Sequence, residues 1–196
     1  MSKLLRNRYV LLERDGVINR RVRCGSVKVW EQFEFLPRAL DGLRLLAENG
    51  CTTLIVSNQN GVGEGLVSSN ELDVLTRRFL LEVALSGGII QQVYYCLHAP
   101  SDRCNCRKPR SGLLQRAQTE HRFSFADAFL IDDALSGVRA AQDVGCPAIL
   151  IRREAFLHDR REQEESPALA CDLYEAAERI LSVWVPKSRY VSVAAL

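Results

Sequence analysis

Four sets of polar side chains stand where apolar runs stop: Glu13 and Asp15 after YVLL, Ser57 and Asn58 after CTTLIV, Arg107 and Lys108 in CRKP, and Asp132 and Asp133 after FLI. Carboxylates from two strand ends can hold a divalent cation such as Mg²⁺, which takes hard oxygen ligands and keeps several waters. Glu13, Asp15 and Asp133 are the candidate ligands. A lysine and a small hydroxyl at the same rim can hold a phosphate that the cation also clamps. Glu13, Asp15, Ser57 and Lys108 together therefore point to phosphoryl transfer. Taken singly each piece is ordinary: an acidic turn is commonly solvated or caps a helix, and a lone lysine is a surface charge. Their placement at the ends of successive strands carries the reading.

A second constellation is Cys96-x-His98, five residues, then Cys104-x-Cys106. Three thiolates and one imidazole this close can wrap Zn²⁺ tetrahedrally, and with all four positions filled no open position is left for water, as in a structural site. The alternative, buried cysteines beside a surface histidine, fits poorly with Pro100, Ser101 and Asp102 making the intervening stretch a tight polar turn. A zinc-stapled loop would fix the backbone that delivers Arg107 and Lys108. His121 and His158 lie in polar contexts and read as bystanders.

The elements that must position these groups alternate along the chain. Strands are expected at Tyr9 onward, Cys51 to Ser57, Ile89 to Cys96, Phe125 to Asp133 and Pro147 to Ile151, each a short apolar run bounded by turn residues. Helices are expected from Pro37 to Gly50, from the Ser68/Glu71 capping box through about Leu85 with Gly87-Gly88 as the stop, from Pro109 to His121, over LSGVRAAQDVG, and from a Ser166-Pro167 start to about Trp184. Residues 20 to 36 read as an extended flap beside the acidic turn, 158 to 166 as a solvated charged segment, and 185 to 196 carry no assignment. Strand alternating with helix argues for an α/β, doubly wound (Rossmann-like) parallel sheet with helices on both faces. In such a sheet all strand ends share one rim, where these folds bind their ligands.

With 196 residues the chain suits one domain, 1–196, with no room for a large cap domain. A net charge of +2 with interspersed signs gives no basic stripe for nucleic acid. No apolar run is long enough to span a membrane and the N-terminus lacks a signal-peptide pattern, so a cytoplasmic location is expected. Seven cysteines with one tight cluster suit a metal site in a reducing compartment better than a disulfide framework.

ERDGVIN, VSNQ, CRKP and LIDD resemble, in order, the four motifs of the haloacid dehalogenase superfamily of phosphatases. The loop CLHAPSDRCNCRKP is similar to that of the branch containing heptose bisphosphatases and histidinol-phosphate phosphatases, and the similarity runs over residues 9–151. The resemblance implies that Glu13 stands at the nucleophile, Asp15 at the proton donor and water activator, Ser57 at the phosphate-binding hydroxyl and Lys108 at the charge-neutralising lysine. It implies Mg²⁺ held by Glu13, Asp133 and a backbone carbonyl at Asp15, and substrate contacts from Asn58, Gln59, Arg107 and Lys108. Two departures stand out. The family nucleophile is aspartate, and one extra methylene in Glu13 moves the attacking oxygen by roughly an ångström, a displacement able to lose on the order of a hundredfold in rate. The fourth motif's GDxxxD pattern would put Asp at Gly137 and Gly at Asp132.

Two functions follow. One is a Mg²⁺-dependent phosphatase of a small sugar phosphate, by resemblance a heptose 1,7-bisphosphate, with histidinol phosphate as the alternative substrate. The other is a catalytically impaired relative that binds a phosphorylated metabolite or a protein partner. Neither calls for nucleic acid or membrane, and a monomer or small homo-oligomer suits both.

Overall fold

The computed structural model describes residues 8–22, 26–152 and 168–184. Six parallel strands, β1 (Arg8–Leu12), β2 (Cys51–Asn58), β3 (Gln92–Cys96), β4 (Ala128–Asp132), β5 (Ala148–Ile151) and β6 (Leu169–Ala170), form one sheet in the order β3-β2-β1-β4-β5-β6. The order reverses direction at β1, which pairs with β2 on one side and β4 on the other. The rim of β1 and β4 is thus the crevice where a doubly wound sheet binds ligands.

Five helices cover the sheet: α1 (Ala39–Glu48), α2 (Ser69–Leu85), α3 (Gly112–His121), α4 (Leu135–Asp143) and α5 (Leu173–Trp184). They divide the core in two. Val10, Leu12 and Ile55 face a cluster containing Leu43, Phe79 and Ile180, whereas Tyr9, Leu11, Leu54 and Val56 face one containing Leu114, Leu130 and Val138. With both faces covered, alternation gives way to the continuous apolar runs read in the sequence.

The expected elements are present with shifted starts. Arg38 adopts a left-handed conformation (φ +60°), so α1 begins at Ala39 and Pro37 stays outside it. The Ser68/Glu71 capping box forms in full at the start of α2. β3 begins at Gln92, after the exposed Ile89, and α3 begins at Gly112 rather than Pro109. Phe125–Asp127 make a single 3₁₀ turn in which the Ser124 hydroxyl accepts the Ala126 N–H, and β4 starts only after it. β6 was not foreseen, because two residues are too few to show a period. α5 starts at Leu173, where Asp172 Oδ1 accepts the Glu175 N–H at 2.8 Å. The expected start at Ser166 and Pro167, the segment 158–166, the tail 185–196 and Cys24 lie outside the described residues.

The flap is folded back rather than freely extended. Arg20 N–H donates to Glu34 O at 2.7 Å and Leu36 N–H to Ile18 O at 2.9 Å, closing it at its base. Trp30 stacks on Phe33 (centroids 5.1 Å apart), and Phe33 packs against Phe79 of α2 at 5.6 Å. Among the described residues no inserted domain stands over the rim, so the flap and the loops after β2 and β3 border it.

Candidate active site

Glu13 continues β1 by one residue, its N–H bonding Ile131 O of β4 at 2.9 Å, and is buried. Its carboxylate takes three donors. Oε1 accepts the Ser57 hydroxyl and the Arg14 N–H (2.8 Å), while Oε2 meets Lys108 Nζ at 2.7 Å. Lys108 Nζ also bonds Asp132 Oδ2, so one buried ammonium bridges the ends of β1 and β4. Burial opposes its charge, but Asp132 and then Glu13 outweigh this and raise its pKa above the ordinary lysine value, so Lys108 stays protonated.

Two devices place Lys108. Its main chain exchanges two hydrogen bonds with the Asn58 side-chain amide, both 3.1 Å, tying the loop after β3 to the end of β2. Upstream, the Cys96 Sγ, His98 Nδ1, Cys104 Sγ and Cys106 Sγ atoms lie within 4.8 Å of one another. The five recorded separations among these atoms run from 3.2 to 3.7 Å. A zinc tetrahedron with 2.3 Å bonds to sulfur has edges of about 3.8 Å, so the donors suit zinc with a small outward adjustment. Gly63 lets the loop after β2 lie on this loop: a Cβ there would come 2.4 Å from Ala99 N, and Gly63 N–H donates to Leu97 O at 2.8 Å.

Asp15 is held differently. Its carboxylate accepts from Arg14 (Nη2 2.9 Å), Gln59 Nε2 (2.7 Å) and Asn19 Nδ2 (2.8 Å). Burial alone would raise its pKa; the Arg14 charge and the hydrogen bonds from Gln59, Asn19 and Arg14 overcome that and hold it below the usual aspartate range. Arg14, fully buried, was not singled out in the sequence, where a charge in an acidic turn looks solvated. Its guanidinium carbon lies 5.7 Å from the Tyr95 ring centroid and 5.9 Å from that of Phe33. An arginine between two carboxylates was the available signal.

Asp133 pairs with Arg21 of the flap at 2.6 Å, and Arg21 Nη2 also reaches the Asp15 main-chain oxygen at 3.2 Å. Burial lifts the Asp133 pKa, against the opposing pull of Arg21. Gly16 is required here: at φ +89°, a Cβ would lie 1.9 Å from Asp133 Oδ2. A carboxylate and a carbonyl oxygen thus share one cation, a donor set that suits Mg²⁺.

The expected site residues meet at this rim, each with partners of its own. Ser57 and Lys108 hold the Glu13 carboxylate, Arg14, Gln59 and Asn19 hold that of Asp15, and Arg21, paired with Asp133, feels the charge of both. The Asp15 main-chain oxygen, the atom the resemblance implies for Mg²⁺, meets Arg21 Nη2 at 3.2 Å. Asn58 and Gln59, expected at the substrate, are engaged internally with Lys108 and with Ser57, Asp15 and Arg14. Arg107 keeps a buried Nη1 with no hydrogen-bond partner. The two departures in the fourth motif prove to be adjacent in space, since Asp132 Oδ2 lies where a Cβ on Gly137 would be.

A doubly wound parallel sheet with an acidic strand end, a hydroxyl, a lysine and a second acidic strand end at its reversal point defines a hydrolase of the haloacid-dehalogenase type. Residues 105–176 match the HAD-hydrolase-like family model. The D-glycero-alpha-D-manno-heptose-1,7-bisphosphate 7-phosphatase of Mycobacterium bovis is 38% identical over 140 residues, 71% of this chain and 74% of that protein. The D-glycero-beta-D-manno-heptose-1,7-bisphosphate 7-phosphatase of Pseudomonas putida is 28% identical over 145 residues, 74% of this chain and 82% of its own length. The crystal structure of D,D-heptose 1,7-bisphosphate phosphatase from B. bronchiseptica, complexed with magnesium and phosphate, superposes with a TM-score of 0.81 at 25% identity, covering 90% of this chain and 99% of that one. The chain belongs to the HAD-like hydrolases.

Proposed function

We propose that the protein is a Mg²⁺-dependent phosphomonoesterase acting on a heptose 1,7-bisphosphate or a closely similar sugar phosphate, with residues 1–196 forming one phosphatase domain. The observation that carries this is Lys108 Nζ bridging Glu13 and Asp132 while Ser57 donates to the other Glu13 oxygen. The mycobacterial relative's name supports the substrate class.

In this reading a Glu13 oxygen forms a bond to phosphorus as the phosphorus–sugar oxygen bond breaks, and the departing alkoxide takes a proton from bulk water, because Asp15 is ionised; the hydroxide left behind later takes back the proton that Asp15 gains in the hydrolysis step. Ser57 and Lys108 turn from Glu13 to the phosphoryl oxygens and offset their charge. Asp15, ionised at neutral pH, then takes a proton from water, whose oxygen attacks the glutamyl phosphate; phosphate departs and the Glu13 carboxylate is restored. Mg²⁺, held by Asp133 and the Asp15 main-chain oxygen, would neutralise phosphate charge when bound. Zinc at Cys96, His98, Cys104 and Cys106 would be structural. A small soluble substrate met by a cytoplasmic monomer or small homo-oligomer fits this chemistry.

A second reading is favoured by the three donors gathered on Glu13. Its carboxylate engages the Ser57 hydroxyl, the Arg14 N–H and Lys108, donors a phosphate would use, and so takes the place of the ligand; the protein would then be a silenced relative.

Phosphate release from a panel of sugar mono- and bisphosphates and histidinol phosphate, with Mg²⁺, separates the two. Turnover by the native chain that is lost in Glu13→Gln supports the hydrolase. Turnover found only in Glu13→Asp supports the silenced relative.

A further inference from the structure

Gly137 stands in the first turn of α4 without a positive φ to require glycine, and glycine is a poor helix former. The reason for it is steric. A Cβ built at Gly137 would lie 1.9 Å from Asp132 Oδ2, 2.2 Å from its Cγ and 2.6 Å from its Cβ. No rotation of the Asp132 carboxyl group alone clears all three atoms.

Both Asp132 oxygens are committed. Oδ1 accepts the Ala134 N–H at 2.9 Å, fixing the side chain to the turn that opens α4, and Oδ2 receives Lys108 Nζ. Asp132 is buried, so it acts on the site through Lys108. Without it the ammonium would have Glu13 as its acidic partner in direct contact, and would be drawn fully onto the proposed nucleophile.

We infer that Asp132 is the positioning residue for Lys108, and that Asp132 and Gly137 are a matched pair: one carboxylate, deliverable to Lys108 from the last residue of β4 or from the first turn of α4, but not from both. Its consequence for turnover rests on the phosphatase reading; the exchange itself rests on geometry.

The test compares the native chain with Asp132→Gly, Gly137→Asp, the double variant and Asp132→Asn. Asp132→Gly is expected to weaken Mg²⁺-dependent binding of inorganic phosphate by about tenfold or more and to lower kcat more than it changes KM, as for coupled neighbours in one network. Gly137→Asp alone is expected to lower the urea midpoint through the collision. The double variant is expected to regain phosphate affinity to within about threefold of native, with its crystal structure placing the introduced carboxylate on Lys108 Nζ. Asp132→Asn, which keeps the shape and the bond to Ala134, should bind phosphate as poorly as Asp132→Gly while remaining folded.

A double variant no better than the combined single losses, or native phosphate affinity in Asp132→Asn, overturns the inference. If none of the chains turns over any sugar phosphate, the phosphatase reading fails. The midpoints and the position of the introduced carboxylate then decide the pair: recovery with contact supports it, and additive losses or a carboxylate turned away from Lys108 overturn it.

Discussion

Arg21 and Asp133 form an ion pair at 2.6 Å across 112 residues of sequence, and the same guanidinium nitrogen reaches the Asp15 main-chain oxygen at 3.2 Å. The flap therefore lays a cation of its own where a carboxylate and a carbonyl converge. Under the proposed phosphatase reading, a divalent ion bound there displaces it. Arg21 is more than half exposed, so the pair is worth about 0.2–1 kcal/mol. Arg21→Gln is expected to tighten Mg²⁺ binding by about two- to fivefold in calorimetry; unchanged affinity would mean that the ion binds elsewhere.

Shortening Glu13 should release the donors it holds. In Glu13→Asp the carboxylate withdraws by about one carbon–carbon bond, leaving the Ser57 hydroxyl and Arg14 N–H free for a phosphoryl group. Phosphate release is expected to rise by about tenfold to a hundredfold over the native chain. A fall in rate would identify glutamate as the better fitted residue in this site.

The Cys/His cluster should carry one zinc per chain by elemental analysis. Cys106→Ser is expected to reduce that content and, with a loss of about 3 kcal/mol, to lower the thermal midpoint by about 10 °C. Because Gly63 and Asn58 join the loop after β2 to this loop, phosphate affinity should fall with it. Full zinc content with unchanged stability in the variant would remove Cys106 from the ligand set.

Asp15 sets an acid limit on stability. Its folded pKa lies below the unfolded value, near 4, so its stabilisation is complete above that value and is lost as pH falls through the folded one. At neutral pH Asp15→Asn leaves the buried Arg14 charge without its partner and should cost about 3 kcal/mol. Urea midpoints of the native chain and Asp15→Asn should therefore differ at pH 7 and draw together below about pH 4. A constant gap across that range would count against the Arg14–Asp15 pair as the source.

What the sequence could show was local order. The apolar runs ending at Leu12, Val56, Cys96 and Ile131 announce the strands, and their shared parallel direction puts Glu13, Ser57, Lys108 and Asp133 at one rim. The zinc spacing is equally local, with its donors within eleven positions. What stayed hidden depends on side-chain direction. Nothing in ERDG says that Arg14 turns inward to Asp15 and Gln59, or that Arg21 crosses to Asp133. Asp132 and Gly137 looked like two separate departures because the contact joining them exists only once α4 packs on β4.

The central position of β1 bears on how the molecule comes to exist. Its partners β2 and β4 begin at Cys51 and Ala128, so β1 keeps an edge of unpaired N–H and C=O groups until much of the chain has followed. Pairings this distant form slowly, and an exposed strand edge meanwhile invites association with other chains. Fragments that stop short of Ala128 should therefore aggregate rather than retain a partial site. Recovered phosphate binding during refolding should mark the last event, the closing of β4 against β1, and not an early one.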